Sequence, residues 1–420
     1  MLARDSSMRF LLDIFYVLLA ALAAPWWMRK ARGGWAERFG AIEPLPPATR
    51  PRVMLHTVSV GETNLAAPLV EMLRPHAEVL ITVTTDTGME RATALYGSMG
   101  AGVFVRRYPL DFSWAVRRFL DSARPDVVGL AELEMWPNFL RFCGRRGLPV
   151  AVLNGRISDH SFGRYRMARP LVGGLFRRLA FVAAQDEVYA ERFRAMGVAP
   201  ERCHVTGSMK WDAVEVAEAA DFPGAAELAE AMGIDRMKPL IVAGSTEPVE
   251  HALLHSASPR GAQLLCAPRK PEWFDDAARD LPGCVRRSKG ERATPGADRF
   301  LLDTIGELNA AYALADIVVV GRSFGELHGS DPMAPAAMGK PVVIGPRVAN
   351  FRSVVETMLR AGAIVQTTGE SLASELKSLI ENEQRRRELS ERAKACALEN
   401  QGATKRHADL LRELLSRKNR

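Results

Sequence analysis

"HTVSVGETNLAAPLVEMLRP", residues 56–75, carries a strand end, a turn and a helix, and its reading decides the fold. The run "RVMLHTVSV" has the length and apolar content of a strand covered on both faces, and "TNLAAPLVEMLRPH" repeats apolar residues at helical spacing. Gly61 allows a tight strand-to-helix turn, and Glu62 is expected just outside the first helical turn. A carboxylate there has two readings. It complements the helix dipole, worth a few tenths to ~1 kcal/mol, or it is a general base at a cleft mouth, kept ionised near neutral pH by that dipole.

The same alternation runs outward from this unit. "EVLITVTT", "AGVFVRRYPLD", "PDVVGLAE", "PVAVLNG", "FVAAQDE" and "CHVTG" read as strands, with amphipathic helical stretches between the earlier ones. After an acidic segment with a Pro-Gly step the pattern restarts with "PLIVAGST", "AQLLCAPRK", "GCVRRS", "RFLLDT", "ADIVVVGRS", "KPVVIGP" and "AIVQTT". Short apolar strands alternating with helices specify an α/β fold with parallel sheets. The length of 420 residues calls for two such domains. The expected organisation is an anchor and basic linker over 1–40, a Rossmann-like domain over 41–212, a linker over 213–238, and a second Rossmann-like domain with terminal helices over 239–420. Two such halves facing one central cleft are the simplest architecture, with ligands beyond the carboxyl ends of the strands.

Residues 10–28, "FLLDIFYVLLAALAAPWWM", form an apolar run broken by Asp13 and Pro25, with Arg9 before it and Arg29, Lys30 and Arg32 after. At about 1.5 Å per residue it just spans a ~30 Å hydrocarbon core, and Trp26 and Trp27 suit the headgroup level. It reads as a membrane anchor, whether it spans the bilayer or lies in one leaflet, with a buried helix as the alternative. The net charge of +7 and pI near 9.3 favour an anionic partner. Basic runs interleaved with aromatics are missing from the sequence, which argues against nucleic acid. Five scattered cysteines suit a reducing compartment.

Polar groups gather where strands should end. "TTDTGMERA" puts Thr85 and Gly88 at a helix start suited to anions. "LAELEMWPN" carries Glu132 and Glu134. "NGRISDHSFGRYR" packs Arg156, Arg164 and Arg166, either a phosphate site or a solvated helix face. The second half offers Ser245 and Thr246 in "AGSTEP" and Arg269 and Lys270 in "APRKPEWF". His251 and His255 are four apart with no third ligand evident, so no metal is expected. The chain lacks a P-loop, a G-x-S-x-G elbow and a G-x-G-x-x-G fingerprint.

Nine segments in order resemble the signatures of the bacterial 3-deoxy-D-manno-octulosonic acid (Kdo) transferases. They are "VSVGE", "ITVTTDTG", "RPDVVGLAELEMWPN", "NGRISDHSFGRY", "VTGSMKWD", "PRKPEWF", "DTIGEL", "ADIVVVGRS" and "GKPVVIGPRVANF". The resemblance implies a GT-B fold. It also implies inverting, metal-independent and cofactor-free transfer of Kdo from CMP-Kdo to a lipid A precursor, by catalytic domains on the cytoplasmic side of the inner membrane. It implies Glu62 as general base, Glu134 as an active-site carboxylate and Arg269 as a contact to the cytidylate phosphate. Gly306, Glu307, Ser323 and Asp331 fall in the implied donor lobe, and Lys210 of "VTGSMKWD" on the acceptor side. One departure stands out: where the family usually carries a G-H-N-P-x-E-P glutamate facing the ribose, this chain reads "GSDPMAP" with Ala334. The loss of that acceptor is worth ~1–3 kcal/mol in donor binding unless Glu326 or Asp331 replaces it. Two other readings follow from this departure: a weakened relative that binds without efficient turnover, and a transferase redirected to another nucleotide sugar.

Overall fold

The structure, a computed structural model, describes residues 33–214, 219, 222–290, 292–294 and 296–418. The expected anchor over 10–28 lies outside the described residues. Among the described residues no helix is long and apolar enough to cross a membrane.

The chain forms two compact units. The first holds a seven-stranded sheet of β1 (Arg52–Thr57), β2 (Glu78–Val83), β3 (Val103–Arg107), β4 (Val127–Ala131), β5 (Val150–Gly155), β6 (Phe181–Ala184) and β7 (Cys203–Val205). Their spatial order is β3-β2-β1-β4-β5-β6-β7, and every pairing is parallel. Every residue of β1 and β2 is buried. This is why they read as continuous apolar runs: helices cover both faces of a parallel sheet. Leu55, Val79 and Ile81 pack with Leu69 and Val70 on one face, and Met54, Leu80 and Val128 with Phe119 and Phe139 on the other.

A buried ion pair fixes the amino end of β1. The Arg52 guanidinium donates to Glu78 Oε2 at 2.7 Å and to the carbonyls of Ala123 and Pro46, both at 2.7 Å. Removing one partner of such a pair strands a charge and costs about 3–5 kcal/mol.

The second unit repeats the plan with β8 (Leu240–Thr246), β9 (Gln263–Pro268), β10 (Val285–Arg286), β11 (Arg299–Leu301), β12 (Ile317–Val320), β13 (Val342–Ile344) and β14 (Val365–Gln366). Their order is β10-β11-β9-β8-β12-β13-β14, again parallel. In each sheet the order reverses beside the first strand, between β1 and β4 and between β8 and β12. Loops diverge there, and ligands of such folds bind at those points.

The boundaries differ from the sequence reading in two ways. The second unit begins at Val214, so the expected linker, including the helix Ala225–Met232, belongs to it. More consequentially, residues from Gln401 return to the first unit. In the helix Ala403–Lys418, Ala403, Ala408, Leu411 and Leu415 join the core cluster of Leu55 and Leu69. The Asp212 carboxylate caps its start by accepting from Gly402 N and Thr404 N, each at 2.5 Å. An amphipathic helix shows its apolar face in sequence but not the sheet it will cover.

Candidate functional site

In the first unit the loops after β1 and β4 carry the carboxylates. Ser59 N-caps the helix Val60–Leu73, which puts Glu62 inside the first turn rather than outside it. Gly61 lies within the helix with no close neighbour, so the turn rests on Ser59 and not on glycine. The Glu62 side chain folds back over its own helix start. Val58 N donates to Oε2 at 2.8 Å and Ser59 Oγ to Oε1 at 3.0 Å, a close variant of the capping box.

This placement also sets the proton affinity of the group. Burial pushes the Glu62 carboxyl up to about 6 from 4.5; the Val58 N–H opposes the rise, Glu132 adds to it, the Ser59 hydroxyl opposes it, and Glu134 adds again. The site therefore contains three carboxylates. Burial also raises Glu134, against the bond from Trp136 Nε1 at 2.8 Å and with Glu132 adding to the rise. Glu132 is left-handed at φ 55°, an uncommon conformation for a non-glycine residue, and such positions gather at functional sites. Pro137 starts the next helix, and the Asp111 carboxylate accepts from Asn138 N and Phe139 N at 2.9 and 2.8 Å.

Other expected groups of this unit serve the fold. Thr85 Oγ1 donates to Val58 O at 2.7 Å and accepts from Gly88 N. Gly88 is buried, and a Cβ there would lie 2.7 Å from Thr85 Oγ1 and from Val83. Their bonds tie the β2 loop to the β1 loop. Arg156 bonds Tyr189, whereas Arg164 and Arg166, in the last turn of the helix Asp159–Met167, are exposed with no ion pair among the described residues. Lys210 is half-buried in the turn Met209–Ala213.

In the second unit Ser245, at an irregularity near the end of β8, and Arg322, just after β12, are both left-handed, at φ 56° and 58°. Ser245 is half-buried, and Arg269 is exposed with no ion pair among the described residues. Lys270 pairs with Glu272 at 3.2 Å and lies 4.9 Å from the Trp273 ring centroid. Gly306 is exposed at φ 101°, beside Glu307, which Arg287 grips at 2.9 Å. Burial would raise the Glu307 carboxyl, but bonds from Arg287 and Thr304 hold it below its ordinary value. Asp331 accepts from Met333 N at 2.7 Å, and Ala334 is half-buried in the helix Met333–Ala337.

Thr246 and Ser323 are wholly buried and committed elsewhere, Thr246 Oγ1 to His251 Nε2 at 2.9 Å and Ser323 Oγ to Val320 O at 2.6 Å. His255 Nδ1 accepts from Arg299. Among the described residues no group of three His, Cys, Asp or Glu side chains is placed to hold a metal ion.

One residue the sequence reading missed organises this loop. The buried Glu250 carboxylate accepts from the main-chain N–H groups of Arg322, Ser323, Phe324 and Glu247, at 2.8, 2.9, 3.0 and 2.9 Å. Its signal was a glutamate at the third position of the helix Pro248–Ala257.

A family profile described as 3-deoxy-D-manno-octulosonic-acid transferase (kdotransferase) matches residues 33–213. The 3-deoxy-D-manno-octulosonic acid transferase of Bordetella pertussis is 34% identical over 94% of this chain and 97% of that protein. That of Haemophilus influenzae is 29% identical over 91% of each. Among solved structures, UDP-GlcNAc 2-epimerase from Neisseria meningitidis aligns with TM-score 0.58 and Anabaena HepE in complex with UDP with 0.56. Both are 14% identical and cover 86% of this chain and all of theirs, so they speak for the GT-B-like twin-Rossmann fold alone. With a relative above 30% identity matched along nearly its whole length, the chain belongs to the 3-deoxy-D-manno-octulosonic acid transferase family.

Proposed function

We propose that the protein transfers Kdo from CMP-Kdo to a lipid A precursor at the cytoplasmic face of the inner membrane, with Glu62 as general base. The observation that carries this reading is the Glu62 carboxylate, held at the β1 switch point by Val58 and Ser59 with its proton affinity raised to about 6. Such a group is still about nine-tenths ionised at pH 7, yet it binds a proton better than a solvated glutamate by more than tenfold. That balance suits a base near its operating pH.

In the reaction the acceptor hydroxyl gives its proton to Glu62 as its oxygen bonds the anomeric carbon of Kdo. The bond from that carbon to the phosphate oxygen breaks, and cytidylate leaves with the electron pair. Arg269 is suited to the charge that grows on the departing phosphate, and Ser245 and Gly306 to donor contacts nearby. Arg164 and Arg166, exposed and without an ion pair among the described residues, suit the phosphates of the acceptor or of surrounding lipid. The apolar run at 10–28 would keep the protein beside that lipid.

The test is incubation with CMP-Kdo, generated in place, and a lipid A precursor, with products read by mass. Addition of Kdo by the wild type and its loss in Glu62→Gln are expected. Cytidylate binding without turnover would favour the weakened relative that Ala334 suggests, and a preference for UDP or GDP a redirected donor.

A further inference from the structure

A cavity lies behind Glu62, lined by Leu55, Thr57, Gly129, Leu153, Asn154 and Met209 among others, and offers about 20 Å³ to a water-sized molecule. That is room for one water and too little for a sugar. Its walls are mostly apolar, and the polar groups on them have fixed hydrogen-bonding roles.

Asn154 is 2% exposed and left-handed at φ 52°. Its Oδ1 accepts from Met209 N at 3.1 Å, so Nδ2 remains as a donor, and Nδ2 is buried with no partner among the described residues. Thr63 Oγ1 donates to Ser59 O at 2.8 Å, so the 3.1 Å contact between the two threonine hydroxyls has Thr57 as donor. The lone pairs of Thr57 Oγ1 are thereby left to accept. Glu62 supplies a carboxylate that only accepts when ionised.

We propose that this cavity is a built site for one buried water, which accepts from Asn154 Nδ2 and donates to Thr57 Oγ1 and to the Glu62 carboxylate. Three partners are the usual complement for a buried water. Asn154 is then a positioning residue that acts on the base through the water. Its own backbone is set from the far end of the chain. Asn154 N donates to His407 Nε2 at 2.8 Å, and His407 Nδ1 donates to Ala403 O at 2.7 Å, which fixes the ring as the neutral acceptor. The inference rests on Glu62 being the base. The charged groups acting on Glu62 are Glu132 and Glu134. Of the elements packed against its helix, β1 contributes His56, which also lines the cavity and is kept neutral by burial. Its Nδ1 is on Thr82 O, so that its Nε2 is a further acceptor for the water. β2 contributes Glu78, held by Arg52, and the helix Asp86–Tyr96 contributes Tyr96, bonded to Thr63 O, and Arg91, bonded to Asn64. The last helix contributes His407, and the turn Met209–Ala213 contributes Lys210 and Asp212.

A donated hydrogen bond favours ionised Glu62, so losing the water must make the base harder to ionise. Asn154→Gly keeps the left-handed backbone and removes the amide. In the full-length protein it should move the acid limb of the kcat/KM profile upward by about one pH unit. The loss is then ~5-fold at pH 6, ~10-fold at pH 5 and small at pH 9. His407→Leu should shift the limb in the same direction, and His407→Gln, whose Oε1 accepts from Asn154 N, should restore it. A crystal structure at about 1.5 Å or better should show the water in the wild type and not in Asn154→Gly. Equal loss at every pH, or a cavity without ordered water, overturns the proposal. If Glu62→Gln keeps its activity while the water is seen, the assignment of the base has failed and the water site has not.

Discussion

Replacing Glu62 with glutamine should abolish transfer and also make the protein more stable at neutral pH. The Glu62 carboxyl is raised to about 6 in the folded chain from 4.5. Its folding contribution is therefore fully present below pH 4.5, where the group is protonated in both states, and is lost as pH rises through 6. The rise of about 1.5 units, at 1.36 kcal/mol each, gives ~2 kcal/mol of destabilisation at pH 7 and above. Glutamine resembles the protonated acid in shape and can still accept from Val58 N. The variant should match the wild type near pH 4 and exceed it by up to ~2 kcal/mol at pH 8. For a unit of this size that is ~4–8 °C in Tm. The assay is thermal unfolding of both proteins, scanned from pH 4 to 8 at constant ionic strength. A difference that does not change with pH, or a variant less stable at pH 8, would refute the reasoning, because either result means that ionised Glu62 carries no burial cost.

Further expectations concern the surroundings of this group. Glu132→Gln removes a like charge, so the acid limb of the rate profile should move to lower pH, read as a higher ratio of activity at pH 5.5 to that at pH 8. Burial lowers His407 to about 4 and His56 to about 3, from 6.5. Each neutral ring contributes stability that is complete above pH 6.5 and lost as pH falls toward those values, ~3 kcal/mol or more apiece, so urea midpoints should drop steeply below pH 6.5. Arg269→Ala should weaken cytidylate binding ~10- to 100-fold by calorimetry, and Ala334→Glu should strengthen it ~10-fold. Ending the chain after Asn400 should expose the core face that Leu411 and Leu415 cover and leave the first unit aggregation-prone, as light scattering would show.

The sheets were legible because parallel strands covered on both faces leave unbroken apolar runs, as β1, β2 and β8 do. Glu62 was legible as a group at the strand-to-helix turn, though not as a member of the first helical turn that Ser59 caps. Its proton affinity was not, because that depends on how much water the folded loops after β1 and β4 exclude. Thr85, Gly88, Thr246 and Ser323 looked like ligand groups, yet a hydroxyl at a strand end reads the same whether it serves a phosphate or a neighbouring carbonyl. Glu250, Asn154 and His407 escaped notice for the converse reason. Each is polar and buried with main-chain partners far away in sequence, Asn154 and His407 being 253 positions apart.

The return of the last helix to the first unit has a temporal side. As the chain leaves the ribosome, the lobe bearing Glu62 lacks the piece that closes its core until Val214–Asn400 has been made, about 10–40 s at 5–20 residues per second. The second unit is finished first, and the lobe synthesised earliest matures last. A nascent chain thus carries an open apolar seam through nearly half of its synthesis, and a premature stop in the final twenty codons spares one lobe while crippling the other.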